Sequence, residues 1–292
     1  MRLFRFYKQV VKLGSDRDPR FGKEQIRSYG DTAILYGNPD IEVKKILLGI
    51  DIEVAELLLA DRIRQREGLD LVISHHPEGG AYARLHEVMQ IQVDVLEKIG
   101  LSRNIAQKFL DERKLEVERK ILPQNHTRPV DAARILDLPF MCMHTPADNH
   151  AFWFIKDLME KKKPKTVQDI MKILMGVPEY REASRHNAGP RVILGNPKRS
   201  VGKILVEMTG GTEGPKDLFD KLYRAGVRTL VSMHLSEEHF KKVKDANLNV
   251  VIAGHISSDT LGLNLLLDRI EKKEKAKFQI IDCSGFYRIS RN

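Results

Sequence analysis

The sequence predicts an α/β fold, because short β-branched and aliphatic runs alternate along it with longer amphipathic stretches. Its 292 residues allow two domains of ordinary size or one large core. Hydrophobic residues make up 42% of the chain and charged residues 30%, which is typical of globular proteins. This composition excludes the disordered, collagenous and low-complexity classes.

Strands are predicted wherever a short aliphatic run is bounded by polar or turn residues. They cover residues 45–52, 69–74, 138–143, 204–208, 227–233, 248–253 and 278–282. Helices are predicted where apolar residues recur at helical spacing, over residues 54–67, 84–99, 168–175, 215–225, 237–246 and 259–273. Residues 102–120 are rich in charges and good helix formers, so we expect an exposed helix with few core contacts.

The least regular part of the chain runs from residue 161 to residue 200. It follows the lysine run with Pro178, Pro190 and Pro197 and has few apolar repeats. We therefore expect an N-terminal α/β lobe over residues 1–160, a connecting region over 161–200 and a C-terminal α/β lobe over 201–292. The two lobes are expected to form one compact unit.

The charge and cysteine content limit the partners and the compartment. The formal net charge is +9, but no aromatic-interleaved motif is present, so a nucleic-acid partner is unsupported and a solvated basic surface is favoured. No apolar run approaches the ~18 residues that a membrane-spanning helix needs, and charges interrupt the first eight residues. Two cysteines cannot build a disulfide framework. We therefore expect a cytoplasmic protein without a membrane partner.

Histidines follow four of the predicted strands, at the point where each strand ends. The pair His75-His76 follows the run LVIS, and His144 follows FMCM. His234 follows LVSM, and His255 follows VVIAG. Ligand sites in open α/β sheets form beyond the carboxyl ends of the strands, where loops from several strands converge. Metal-capable residues at this place on four strands are the strongest functional signal in the sequence.

Two of these histidines have a carboxylate four residues further on. Asp148 follows His144, and Asp259 follows His255. Four residues is about one helical turn, so the members of each pair face the same way if a helix begins there. Imidazole and carboxylate form the ligand set of Zn, Fe, Mn and Ni sites. A structural interpretation stays open, in which Asp148 and Asp259 only cap or begin helices.

The adjacent histidines His75 and His76 predict a site for more than one ion. Neighbouring side chains leave an extended backbone on opposite sides, so the two rings suit two metal ions better than one. Four or five such ligands at strand ends are able to hold a dinuclear centre with ions ~3.5–4 Å apart. A lone histidine at a strand end is usually a hydrogen-bonded structural residue, but the joint occurrence of these residues favours metal binding.

Other candidates carry weaker signals. The turn with Gly210 and Gly211 either binds an anion at a helix N-terminus or is a plain turn, and it lacks the Lys-Ser/Thr ending of a P-loop. His234 lies at a strand end, within reach of a cavity. Cys142 and Cys283 are expected to be small buried residues rather than nucleophiles. The histidines without a partner pattern are taken as structural or surface residues: His86, His126, His150 and His186.

At these positions the sequence resembles the NGG-one-interacting-factor-three family, whose members are also known as GTP cyclohydrolase I type 2-like proteins. The matching motifs span nearly the whole chain in the family's order. They are Ser74-His75-His76-Pro77, His144-Thr145 with Asp148, Gly254-His255 with Asp259, and the smaller Leu48-Gly49-Ile50-Asp51 and Gly210-Gly211-Thr212.

The resemblance implies two similar α/β lobes with mixed sheets packed around a central dinuclear metal site. By position, His76 and Asp148 would hold one divalent ion, and His75 and His255 would hold the other. Asp259 would stand where the family has a bridging glutamate. The resemblance also implies a homo-oligomer, a toroidal hexamer built from dimers.

Three features depart from the family pattern. Asp259 is one methylene shorter than the usual glutamate, so the backbone would have to approach the ions more closely for Asp259 to bridge them. Glu78-Gly79-Gly80 stands where the family commonly has bulky apolar residues, and it predicts a negative, mobile wall beside the site. The interval from His76 to His144 is longer than in the family, which fits an inserted helix near residues 102–120.

The leading functional hypothesis is a metal-dependent hydrolase acting on a nucleotide or another phosphorylated or cyclic-amide small molecule. Two divalent ions would lower the pKa of a bridging water toward ~7. His144, implied to be an accessory residue beside the ligands, or Glu78 would move the proton to the leaving group. The basic charge balance favours a phosphorylated substrate. The alternative is a non-catalytic metal-binding ring that acts as a regulator, scaffold or metal chaperone, because the sequence contains no unambiguous general base.

Overall fold

Two mixed β-sheets flanked by helices form the fold in the computed structural model, which describes residues 1–23 and 25–292. The strands are β1 (Thr32–Tyr36), β2 (Lys45–Gly49), β3 (Leu71–Ser74), β4 (Phe140–Met143), β5 (Arg191–Leu194), β6 (Lys203–Glu207), β7 (Val227–Ser232), β8 (Asn249–Ile252) and β9 (Gln279–Cys283). The predicted α/β class with mixed sheets is confirmed.

The helices of the first half of the chain are α1 (Leu3–Ser15), α2 (Val54–Glu67), α3 (Gly79–Ala83), α4 (Leu85–Val88), α5 (Ile91–Lys98), α6 (Arg103–Ile121), α7 (Arg128–Leu136) and α8 (Thr145–Lys162). Those that follow are α9 (Val167–Met175), α10 (Pro178–Arg185), α11 (Phe219–Arg224), α12 (Glu237–Asp245) and α13 (His255–Glu274), with a 3₁₀ turn at Lys216–Leu218. Among the described residues, none of these helices is both long enough and apolar enough to cross a bilayer.

The chain divides into two compact units. Unit 1 comprises Met1–Val88, Leu115–His150 and Asp259–Asn292, and unit 2 comprises Met89–Lys114 and Ala151–Ser258. These units do not follow the expected boundaries at residues 160 and 200. The reason is strand pairing, because β9 at the end of the chain pairs with β2 near its beginning. The expected connecting region contains α9, α10 and β5, and it lies within unit 2.

The sheet of unit 1 has the strand order β1-β4-β3-β2-β9. β1 runs antiparallel to β4, and the other neighbouring strands are parallel. Ile46 and Leu48 of β2 face a core formed with α1 and α13, whereas Leu47 faces a second core formed with α2 and α7. Both faces of the sheet are therefore covered, which explains why β2 reads as a continuous apolar run.

The sheet of unit 2 has the order β5-β8-β7-β6. β5 runs antiparallel to β8, and the remaining pairs are parallel. This is the arrangement of β1-β4-β3-β2 in unit 1, strand for strand. The expected similarity of two α/β lobes is thus present in the topology, and β9 is the strand that unit 1 has in addition.

Several elements differ from the prediction. The elements that were not expected are α1, α3, α7, α10, β1 and β5. The helix predicted over residues 84–99 is broken at residues 89–90, where the chain passes from unit 1 to unit 2. α6 is less exposed than predicted, because one side of it is buried. The buried apolar residues of α6 are Ala106, Leu110, Val117 and Ile121. Their helical spacing is present in the sequence but is obscured by the many charges between them.

A close helix contact in unit 1 depends on a glycine. A Cβ atom added to Gly262 of α13 would lie 2.4 Å from the carbonyl oxygen of Ala147 in α8. The obstacle is backbone, which cannot move aside as a flexible side chain would. Gly262 therefore allows the two helices to approach closely at this point.

The turn between β6 and the 3₁₀ turn is held by side chains of unit 2. Gln92 Nε2 donates hydrogen bonds to the carbonyl oxygens of Gly210 and Thr212, at 2.9 and 2.7 Å. The Gly214 N–H donates to Glu207 Oε1 at 2.9 Å. These bonds join the turn to α5 and to β6, so the turn is held in a fixed conformation within unit 2.

Glu213, in the same turn, carries a stabilising charge. Burial alone would raise its pKa, but hydrogen bonds from His234 and Ser236 and the nearby charge of His239 lower the pKa to about 2. A carboxyl group with a lowered pKa stabilises the fold above its ordinary pKa of 4.5, and this contribution disappears as the pH falls toward 2.

Replacing Gly262 by alanine should destabilise unit 1, although alanine is the better helix former. We expect overpacking to cost about 1–3 kcal/mol of unfolding free energy in urea titrations. Gly80→Ala in α3 is the matched control, because a Cβ there meets nothing within 4 Å. That variant should be neutral or slightly more stable, and equal stabilities of the two variants would contradict the close contact.

Replacing Glu213 by glutamine should lower the unfolding free energy at pH 6, on the order of 1 kcal/mol after allowance for solvent screening. The difference in unfolding free energy between the variant and the unsubstituted protein should narrow between pH 4.5 and pH 3. The reason is that the Glu213 carboxylate of the unsubstituted protein is then increasingly protonated in the unfolded chain. Urea titrations at several pH values measure this. Glu112→Gln, at an exposed position in the middle of α6, is the control and should show no such narrowing. A stability difference that does not change with pH would show that the charge of Glu213 is not its source.

Candidate metal centre

Three histidines of unit 1 come together at the ends of two neighbouring parallel strands. His75 and His76 follow β3, and His144 follows β4. Their ring centroids lie 4.9 Å apart for His75 and His144, 5.3 Å for His75 and His76, and 5.9 Å for His76 and His144. The strand order thus places these three candidates side by side.

The Nδ1 atoms of the adjacent histidines are held by acceptors outside the cluster. His75 Nδ1 lies 3.2 Å from the Met143 carbonyl oxygen, and His76 Nδ1 lies 2.6 Å from Asp51 Oδ1. A carbonyl or carboxylate oxygen only accepts, so in both rings Nδ1 donates its proton. The neutral forms of both rings therefore present Nε2 as a lone pair.

His144 is oriented in the same way by Asp31. His144 Nδ1 donates to Asp31 Oδ2 at 2.8 Å, and the Thr145 hydroxyl donates to the same oxygen at 2.5 Å. Asp31 is fully buried just before β1. The sequence analysis missed Asp31 and the role of Asp51, because both act through contacts between distant parts of the chain. Only Asp51, in the motif Leu48-Gly49-Ile50-Asp51, had a signal that could have indicated it.

Two buried carboxylates face these rings. His75 Nε2 lies 3.3 Å from Asp148 Oδ1 and 3.5 Å from Asp259 Oδ1. The other oxygen of Asp259 lies 3.5 Å from His76 Nε2. His144 Nε2 lies 3.6 Å from Asp148 Oδ2. Asp148 and Asp259 are 5% and 1% exposed, so their charges are largely removed from water.

The electrostatics of the cluster favour positive charge. Burial would lower the pKa of His75, but the nearby carboxylates of Asp259 and Asp148 raise its pKa to about 10. For His76, burial again lowers the pKa, and hydrogen bonds to Asp259 and Asp51 raise it to about 9. Protons or a metal cation can supply the charge that two buried carboxylates require.

The donor set fits a divalent metal ion. Ligand atoms of His75, His76 and His144 lie within 4.8 Å of one another, and so do those of His75, Asp148 and Asp259. Within the described residues, His75 Nε2 and Asp148 Oδ1 are buried atoms that make no hydrogen bond. Buried polar atoms normally have partners, and a shared cation would satisfy both. Nitrogen and oxygen donors of this kind suit Zn, Fe, Mn or Ni.

The adjacent histidines do not point to opposite sides, as a continued strand would require. β3 ends at Ser74, whose hydroxyl donates to the His76 carbonyl oxygen at 2.5 Å. Strand alternation therefore stops before the histidine pair, and both rings join one cluster. Asp148 lies beside His75, and the shared ion that the resemblance implies for His76 and Asp148 stays a prediction.

His255 is the first residue of α13 and belongs to unit 2. It stands one helical turn before Asp259, so both side chains are on one side of the helix. Within unit 2, its ring lies 4.7 Å from that of His234, measured between centroids. His234 Nδ1 lies 3.5 Å from Glu213 Oε1, so His234 also pairs with a carboxylate.

Glu78 lies directly before α3, so the predicted negative wall leads into a short helix. In α3, Gly79 has a φ of 56° and donates its N–H to the His126 carbonyl oxygen at 2.8 Å. The positive φ lets the chain turn directly from Pro77 into α3. Burial, followed by the charge of Glu53, raises the pKa of Glu78 to about 7.

The remaining candidates have structural surroundings. The Gly210-Gly211 turn contacts Gln92 and contains Glu213, and Glu207 at the end of β6 bonds to it. These acidic residues beside the turn disfavour an anion. Cys142 is buried, which raises the pKa of its thiol to about 12, and Cys283 is half-buried. Among the other histidines, His150 is buried with its Nδ1 on the Pro146 carbonyl oxygen, and burial lowers its pKa to about 3.

The chain matches known proteins by structure, but it matches no family model and no curated sequence. Among solved structures, a NIF3 superfamily protein from Sphaerobacter thermophilus is 26% identical, with a TM-score of 0.77 over 95% of this chain and 98% of that one.

Two further structures share the fold at lower identity. Reduced HcgD from Methanocaldococcus jannaschii is 15% identical, with a TM-score of 0.53 over 97% of each chain. A protein from Thermus thermophilus is 14% identical, with a TM-score of 0.51 over 97% of this chain and 98% of that chain. The resemblance inferred from the histidine motifs is confirmed. These structural neighbours support the assignment of the chain to the NIF3 superfamily.

Proposed function

We propose that this protein is a metal-dependent hydrolase acting on a nucleotide or on another phosphorylated or cyclic-amide small molecule. The observation that carries the proposal is the set of three oriented imidazoles facing two buried carboxylates in unit 1. Such a constellation has little structural purpose, because it collects negative charge away from water. It fits a site that is completed by cations.

The ligands in this proposal are His75, His76, Asp148, His255 and Asp259, for two divalent ions per chain. The distances support His75 and Asp148 as one pair, with His76 as a ligand of the second ion. Asp259 is proposed to contribute to both, since its two oxygens face different histidines. His255 is included from the resemblance and from its place one turn before Asp259. When bound, divalent ions supply Lewis acidity and lower the pKa of a water molecule.

Two residues are proposed to move protons. His144 is proposed to accept a proton at Nε2, because Asp31 holds the other proton at Nδ1 and so fixes the orientation of the ring. Glu78, with its pKa raised to about 7 by burial, holds a proton on a fraction of molecules at neutral pH and can donate it to a leaving group. The net charge of +9 favours the approach of an anionic substrate.

The assembly and compartment in this proposal follow the family expectation. We propose a homo-oligomer, a toroidal hexamer, located in the cytoplasm. Both cysteines are free thiols, which is consistent with a reducing compartment.

Removing one oriented imidazole should remove metal. We expect the unsubstituted protein to hold about two ions per chain and His75→Ala to hold about one or fewer. Elemental analysis of untagged, folded protein measures this. His126→Ala is the matched control, since His126 lies in unit 1 outside the cluster. Full metal content in His75→Ala would contradict the proposed ligand set.

Glu78→Gln should separate catalysis from metal binding. We expect its kcat to fall about 10²–10⁴-fold with metal content unchanged, because the amide cannot donate the proton. The metal-loaded protein is first screened against nucleotides, phosphomonoesters and cyclic amides to find the substrate. Turnover by none of these classes, with full metal occupancy, would favour the non-catalytic metal-binding ring. Unchanged kcat in Glu78→Gln would remove Glu78 from the mechanism.

A further inference from the structure

β6 is an edge strand of the sheet in unit 2. The corresponding strand of unit 1, β2, has its outer edge covered by another strand. β2 pairs with β3 on one side and with β9 on the other. β6 holds the corresponding position in its sheet, and within the described residues it pairs only with β7. An edge of this kind presents backbone N–H and C=O groups that are able to bind another strand.

Unit 1 shows which kind of strand such an edge takes. β2 begins Lys45-Ile46-Leu47-Leu48 and β6 begins Lys203-Ile204-Leu205-Val206, so the two strands are alike in sequence as well as in position. β9 lies parallel to β2, in register from Lys45 and Gln279 to Gly49 and Cys283. The corresponding ligand of β6 is therefore an extended segment that runs parallel to it.

A groove of about 510 Å³ lies along β6, between α5 and the part of α8 in unit 2. Its apolar wall includes Val95, Phe152 and Met159 together with Leu205. A smaller apolar pocket, lined by Leu218 and Leu222 among others, adjoins the groove, and the two share Val95, Phe152, Leu205 and Val206. The groove thus has room for a backbone, and the shared wall offers a contact for one apolar side chain.

The rim of the groove is positively charged. Four lysines line it, namely Lys98, Lys156, Lys163 and Lys203, against the single carboxylate of Glu160. Glu160 is paired with Lys156 at 2.6 Å, which leaves a net positive rim. Pairing of two β6 edges from two copies of the chain would bring lysines against lysines. Charge complementarity therefore favours an acidic ligand over a second copy.

We propose that this groove binds an extended acidic segment of a partner protein, which adds a strand parallel to β6. Backbone hydrogen bonds to β6 provide the pairing, as β9 does for β2. One apolar side chain of the segment packs on Val95 and Phe152, and its acidic side chains pair with the rim lysines. This surface belongs to unit 2, shares no residue with the histidine cluster of unit 1 and does not depend on the proposed hydrolase activity.

The test uses the full-length protein and a fluorescent, end-blocked peptide of about ten alternating valines and glutamates, a length suited to one strand. Fluorescence anisotropy should show saturable binding. The double substitution Lys156→Glu and Lys203→Glu should weaken it at least about tenfold. Lys241→Glu with Lys244→Glu, an equal charge change at exposed positions of α12, should leave it nearly unchanged.

A second arm needs no protein variant and tests the strand pairing itself. Three consecutive N-methyl groups in the centre of the peptide remove its hydrogen-bond donors and should weaken binding about tenfold. Equal binding of the methylated peptide would overturn the strand geometry. No binding by the acidic peptide would show that the lysines only protect the edge. Tighter binding of a single-stranded oligonucleotide, abolished by the same lysine substitutions, would assign the rim to nucleic acid instead.

Discussion

The candidate site depends on the fixing of imidazole Nδ1 protons by acceptors outside the cluster. The Met143 carbonyl, Asp51 and Asp31 each accept one of these protons, and each thereby turns an Nε2 lone pair toward Asp148 or Asp259. Lone pairs that face carboxylates repel unless positive charge lies between them. The pKa values of His75 and His76 are raised for the same reason, because positive charge is favoured beside these carboxylates. The charge balance of the cluster therefore supports a metal ion as strongly as its residue types do.

The sequence predicted the parts of this site that lie along one strand or helix. A histidine after an apolar strand and a carboxylate one turn into a helix are local patterns, and they located His75, His76, His144, Asp148 and Asp259. Asp31 contacts a residue 113 positions away, which no local pattern reveals. β1 and β5 were missed although both contain apolar residues. They are antiparallel edge strands whose residues are mostly only partly buried, and their partners lie far along the chain.

The two units show how one sheet arrangement can serve different purposes. Unit 1 has the adjacent pair His75-His76 after β3, whereas unit 2 has Met233 and His234 after the corresponding β7. The hydroxyl before each pair makes the same bond, from Ser74 to the His76 carbonyl and from Ser232 to the His234 carbonyl. The backbone turn is therefore common to both units, and the side chains on it decide that unit 1 gathers imidazoles. The sheets also differ at one edge, where β9 covers β2.

The contact at Gly262 has a consequence for how the site meets an ion. Asp148 is the neighbour of Ala147, and Asp259 lies three residues before Gly262. Both acids are therefore close to the point where the backbone of α13 at Gly262 contacts the backbone of α8 at Ala147. That contact fixes the spacing of the two helix backbones that carry the acids. Cations of unequal size would therefore be discriminated by how well they fit this spacing rather than by movement of the helices.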